Sequence, residues 1–251
     1  MQAEFKQQAI SYRVLIGISN GNEVASVVST ADEARHGALR RSVANAFTPT
    51  AVLDYEYYLD ETIAELVDLL SRKPHLGLSE TILYYTMDSA GRFTSGASLG
   101  CLAAEADVGR SLALVRQRFS HRGRWSSLPW LERLVYRSPI ALRMKQIPSS
   151  MAAEAASKLQ ERAAKPHDDL QPPDLRTKFL EASKSNPDVL DTRGVVGMLM
   201  STISGAGDTT ATAVTAILLY LLKNPGSLAK LLAALEHAEV TQPVPAYSQV
   251  K

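Results

Sequence analysis

Three groups of residues have types and spacing that could do chemistry. Gly205-Ala206-Gly207-Asp208-Thr209-Thr210 places one carboxylate beside two hydroxyls, with only small residues ahead of it, inside an apolar run. In a helix the Thr209 hydroxyl reaches the carbonyl of Gly205, four residues back, which favours a local bulge or kink. The missing side chains leave a groove in which Asp208 could hand a proton to a reactive group. An alternative stays open at this level: Gly-Ala-Gly is a turn between two helices and Asp208 caps the second. The second group is His36 and Arg40. Their i, i+4 spacing puts two cationic donors on one helical face, an arrangement suited to an anionic pair; a solvated basic face is the plainer reading. The third is Cys101, the one cysteine, which rules out an internal disulfide and any zinc site built on several thiolates. No metal ligand set is assigned.

These residues need a scaffold. The chain has 251 residues, 45% of them apolar and 21% charged, with a net charge of +1. No basic field argues for nucleic acid. Periodicity predicts about nine helices and little sheet, a mainly α protein. A short extended stretch with Asn20-Gly21 as a turn is expected over residues 11–30, and a helix over 33–47. Further helices are expected over 52–72, from Ser79 as N-cap to Gly96, over 108–119, and through the Ala-rich run 151–164. Residues 121–148, rich in proline and tryptophan, read as an irregular surface connection. Asp174 is a cap for a helix that Asn186-Pro187 ends, and Asp191 or Thr192 caps a long helix stopping at Asn224-Pro225. A last helix follows, from Leu228 to about Ala238. The 191–224 stretch is long enough to span a bilayer. Asp208 at mid-membrane would cost about 2.5–3.5 kcal/mol, which favours a buried helix in a soluble protein. The first ten residues lack the apolar run of a signal peptide or anchor.

The hexapeptide resembles the Ala/Gly-Gly-x-Asp/Glu-Thr-Thr/Ser signature on the long central helix of cytochrome P450 monooxygenases. It departs at the second position, where the family prefers glycine and the methyl of Ala206 narrows the oxygen-binding side. Phe179-Leu180-Glu181-Ala182, Asn186-Pro187 and Asn224-Pro225 flank it as in that family. His36-Gly-Ala-Leu-Arg40-Arg41, followed by Val43-Ala-Asn-Ala-Phe47, resembles the family helix that grips a haem propionate. The resemblance is to the fungal branch that includes pisatin demethylase and benzoate hydroxylase. It implies Asp208 and Thr209 as catalytic residues delivering protons, and His36, Arg40, Gly205 and Ala206 as haem contacts. It also implies haem as cofactor, a small hydrophobic substrate that is hydroxylated or demethylated, an NADPH-dependent reductase as electron donor, and a mobile lid near residues 108–150. Family members typically sit on the endoplasmic reticulum membrane.

The resemblance extends over residues 1–251 as a single partial domain, the central portion of the fold, with 191–224 as the oxygen-activating helix. The family's iron-ligating thiolate belongs to a Phe-x-x-Gly-x-x-x-Cys-x-Gly loop beyond that helix. No cysteine follows residue 210, and Glu236 is followed three positions on by Glu239 rather than arginine. Phe93-Thr-Ser-Gly96-Ala-Ser-Leu-Gly100-Cys101 mimics the loop with its cysteine one residue late; a small buried thiol near a helix end is expected there. The C-terminal haem-thiolate half is thus expected to be missing and the chain alone inactive, with apolar faces left uncovered. The competing expectation is a non-catalytic helical protein that binds another protein.

Overall fold

The computed structural model describes residues 12–19, 22–24, 26–144 and 172–237. The expected Ala-rich helix over 151–164 lies outside them. The one sheet among the described residues is a hairpin, β1 (Gly17–Ser19) against β2 (Asn22–Val24), in the register Gly17↔Val24 and Ser19↔Asn22. Asn-Gly between the strands set that expectation, but the extended segment begins at Gly17, because Arg13–Leu15 form a 3-10 turn.

Helices make up the rest. The first ones are α1 (Glu33–Ser42), a 3-10 turn at Ala44–Phe47, α2 (Pro49–Asp54), α3 (Glu56–Arg72), α4 (Leu78–Ser95) and α5 (Cys101–Ala104). Then come α6 (Ser111–Trp125), α7 (Pro129–Tyr136), α8 (Pro139–Met144), α9 (Leu175–Ser185), α10 (Thr192–Lys223) and α11 (Pro225–His237). Caps explain most boundaries. Asp32, Asp174 and Asp191 accept from the backbone N–H of Arg35, Thr177 and Gly194, each at 2.7 Å. Gly96 ends α4 in the left-handed conformation at φ +70°.

Two expectations fail for one reason. Residues 121–144 are helical, not irregular: α6 continues to Trp125, and Pro129 and Pro139 open α7 and α8. Proline suits the first helical position, where its missing N–H has no partner to lose. Pro225 likewise starts α11, three residues before the expected Leu228. The α4 cap is Gly77 rather than Ser79.

The core lies where the first half of α10 runs against α4 and α9. Val195, Leu199, Met87, Leu175 and Phe179 are nearly or fully inaccessible there. Gly207 lets α10 approach α4 closely, since a Cβ at that position would stand 2.3 Å from Met87 Sδ. Tyr55 joins the 3-10 turn to this core by donating its hydroxyl to Ala46 O at 2.9 Å. Burial, then the carboxylates of Asp54 and Asp174, hold that phenol above its ordinary range, so it remains a neutral donor.

Cys101 is fully buried at the start of α5, as the small-thiol reading expects. The Asp88 carboxylate explains its setting, accepting from the N–H of Cys101 at 3.0 Å and of Leu102 at 2.8 Å. Asp88→Asn would turn an amide N–H₂ toward one of these donors and leave it unpaired. The expected loss is about 1–3 kcal/mol, read as a lower urea midpoint with unchanged slope.

Ala211 is the last buried residue of α10, beyond which Val214 and Leu218 pack only partly against the core. Ile217, Leu219, Tyr220 and Leu222 on α10 are all about half-exposed or more, as is Leu232 on α11. By length and composition α10 could cross a membrane. Its first half packs within the protein instead, so the buried-helix reading holds for that half and not for the second.

Candidate functional site

The Gly205–Thr210 segment lies inside one unbroken α-helix of 32 residues. The turn-and-cap alternative is therefore excluded. The Thr209 hydroxyl does donate to Gly205 O, as its position required. The expected bulge is absent: helical geometry continues through 205–209. Thr202, Ser204 and Thr212 make the same four-residue back-bond, to Met198, Met200 and Asp208 at 2.7–2.9 Å. The helix accommodates all four back-bonds without a break.

What the glycines do differs along the segment. Gly207 is buried and faces Met87, so its lack of a side chain serves packing. Gly205 faces the other way, where a Cβ would meet nothing within 4 Å. Ala206 and Asp208 are half-buried, and Thr209 is exposed. The open face is thus that of Gly205 and Thr209.

A cavity of about 490 Å³ opens beside the preceding turns of α10. Met198, Ser201 and Thr202 form one wall, Ser26–Val28 a second, and Arg40, Val43, Ala44 and Phe47 a third. The walls are tied: the Val27 N–H donates to Met198 Sδ at 3.3 Å, and the Phe47 ring packs on Phe179 with centroids 6.1 Å apart. Seven residues are almost two full turns, so Ser201 eclipses Asp208 and Thr202 eclipses Thr209, about 10.5 Å further along the axis. One continuous face therefore runs from the cavity past Gly205 to Thr209.

Of the residues named from sequence, Arg40 lines this cavity and Gly205, Asp208 and Thr209 extend its helical wall. His36 is half-buried on α1 one turn before Arg40 and does not line the cavity. Ser201 and Thr202 are cavity residues that the motif itself does not mark, and Met198 stands out in the sequence only as part of the apolar run. The signal for Ser201 and Thr202 is their spacing, seven residues ahead of Asp208 and Thr209.

The arrangement offers an open, small-residue strip for a flat group, with the Arg40 guanidinium at one side for an acidic substituent. It offers no soft ligand for iron. Among the described residues no cluster of three or more His, Cys, Asp or Glu side chains could hold a metal. Cys101 is fully buried and belongs to the Asp88-capped turn. The residues fit the edge and one face of a haem and do not fit its axial ligand.

Comparison with known proteins identifies the family. The family described as "Cytochrome P450" matches residues 5–251. A cytochrome P450 monooxygenase of Aspergillus terreus is 25% identical over 240 residues, covering 90% of this chain and 48% of the relative. Cytochrome P450 monooxygenase easK of Aspergillus fumigatus is 28% identical over 199 residues, covering 79% and 54%. Pisatin demethylase of Fusarium vanettenii is 28% identical over 215 residues, covering 81% and 41%. The chain spans about half the length of the curated relatives it matches. With a family match that runs nearly end to end, and a mainly α fold built around the long helix, the chain belongs to the cytochrome P450 family.

Proposed function

We propose that this chain, as one partial domain over residues 1–251, supplies the oxygen-side wall and one side-chain anchor of a fungal haem monooxygenase site. The observation that carries this reading is the shared face: Arg40 and the Ser201–Thr202 turn border one cavity, and the same side of α10 continues to Thr209. Haem supplies the redox centre in this family. The chain's own residues bind and position. Arg40 pairs with an acidic edge group, and Gly205 leaves room for a flat ring. The Thr209 oxygen, whose proton is donated to Gly205 O, keeps its lone pairs to accept a proton-bearing partner. Asp208 holds a carboxylate one residue away, positioned to take and return that proton. His36, one turn from Arg40, supports the same anchor from the outer side.

By the same family relation, the substrate is a small hydrophobic metabolite that is hydroxylated or demethylated, and electrons come from an NADPH-dependent reductase. The thiolate that makes the iron reactive is not provided by the described residues, so the chain alone is expected to be inactive.

The test is hemin titration followed by absorbance. Wild type should bind with saturation, and Arg40→Gln should weaken binding about tenfold, the low end for losing a charge-assisted hydrogen bond at an open site. Equal affinity in the two proteins would remove Arg40 from the site and overturn the reading.

A further inference from the structure

A second cavity, of about 480 Å³, opens at the opposite end of α1 and shares no lining residue with the first. The hairpin, the start of α1 and the start of α7 enclose it. Arg13, Arg35, Arg133 and Arg137 line it together with three carboxylates, Glu23, Asp32 and Glu132. The carboxylates are already engaged. Arg137, its side chain only 6% exposed, donates to Glu132 at 2.9 and 3.2 Å and to Glu23 at 3.2 Å. Asp32 caps α1 through the Arg35 N–H at 2.7 Å.

The remaining cations differ. Arg13, Arg35 and Arg133 come from segments about twenty and a hundred residues apart, are exposed, and make no side-chain ion pair with a described residue. Three exposed guanidiniums lining one concavity, in excess over the acids there, favour an anion as its occupant. Trp130 stands on the rim at 66% exposure, with Ile16 and Pro129 beside it. An exposed indole next to exposed guanidiniums forms an apolar plate beside an anion clamp.

We infer that this cavity binds a small, flat, apolar carboxylic acid, its carboxylate held by Arg13, Arg35 and Arg133 and its ring covered by Trp130. The engaged carboxylates leave the lining with four guanidiniums against three acids, which suits a single negative charge better than a doubly charged phosphate. The volume lies within the range of small-molecule sites, about 300–1,000 Å³. The site does not depend on haem, so its failure would leave the family assignment and the Arg40 reading untouched.

Isothermal titration calorimetry of the full chain with 2-naphthoate, 2-naphthylmethanol and inorganic phosphate tests the inference. Naphthoate should bind at one site. Arg35→Gln and Arg133→Gln should each weaken it about tenfold, whereas Arg72→Gln, which removes an exposed arginine outside the lining, should not. All three side chains are exposed, so folding is not at stake. The neutral alcohol should bind at least about tenfold more weakly, as expected when a charge-assisted pair is lost. No heat with naphthoate, equal binding of the alcohol, insensitivity to both variants, or tighter binding of phosphate would each overturn the assignment.

Discussion

Gly207→Ala is expected to lower stability by about 3 kcal/mol, the upper end for overpacking a filled core. The new methyl would stand 2.3 Å from Met87 Sδ and 3.4 Å from Met87 Cγ. Met87 is fully buried, so its thioether cannot swing into solvent. Either Met87 leaves its rotamer or α10 moves away from α4, and both disturb the helix that carries Asp208 and Thr209. The double variant Gly207→Ala/Met87→Ala identifies the cause. Met87→Ala alone leaves a cavity and costs about 2–5 kcal/mol, but together the two changes should be less damaging than their sum by at least about 1 kcal/mol. Urea unfolding of the four proteins measures the coupling. Additive losses would mean that Gly207 matters for some reason other than its contact with Met87.

Glu132→Ala is the second large effect, expected to cost about 3 kcal/mol because it removes the buried carboxylate partner of a buried guanidinium. Glu132 and Arg137 have side chains 3% and 6% exposed. Arg137 also donates to Val14 O at 3.3 Å and Ile16 O at 3.0 Å, and His121 Nε2 lies 3.0 Å from the same carboxylate. Glu132 therefore ties α7 to the end of α6 directly, and to the hairpin through Arg137. Its removal leaves Arg137 with Glu23 and two carbonyls as partners, so the hairpin should loosen before the rest unfolds. Hydrogen exchange should show faster exchange at Gly17–Ser19 with little change in α4. A loss under about 1 kcal/mol would show that water replaces the carboxylate and that the pair is not structural.

The same residues show what could be read from sequence. Asp174, Asp191 and Asn224-Pro225 mark helix ends by local chemistry, and all three mark real ends. The extent of α10 and its threonine back-bond follow from i, i+4 geometry within a single element. Proline was ambiguous. At Pro129 and Pro139 it opens helices that were read as irregular, because the same residue both ends one helix and suits the first turn of another. Contacts between distant segments left no local trace. Asp88 serves a turn thirteen residues on, Glu132 pairs with a side chain that reaches back to Val14, and Gly207 answers Met87. Arg40 was visible as half of an i, i+4 pair, but that it and not His36 faces the cavity depends on the rotation of α1 against α10.

That rotation also shapes the uncovered surface. The second half of α10 and all of α11 present leucines and Tyr220 outward, and α11 buries none of its residues among those described. A helix that is apolar on its open side requires a further layer against it to be stable in water. The first half of the central helix is covered by α4 and α9, while its second half lacks such a layer among the described residues.

We propose that these residues build one wall of the haem site and do not furnish its iron ligand. Reduced, carbon-monoxide-treated spectra of the hemin-loaded chain, compared with those of Cys101→Ala, test it most directly. Neither protein is expected to show the Soret position diagnostic of thiolate ligation, and the two spectra should coincide. A thiolate band in the wild type that disappears in Cys101→Ala would contradict it.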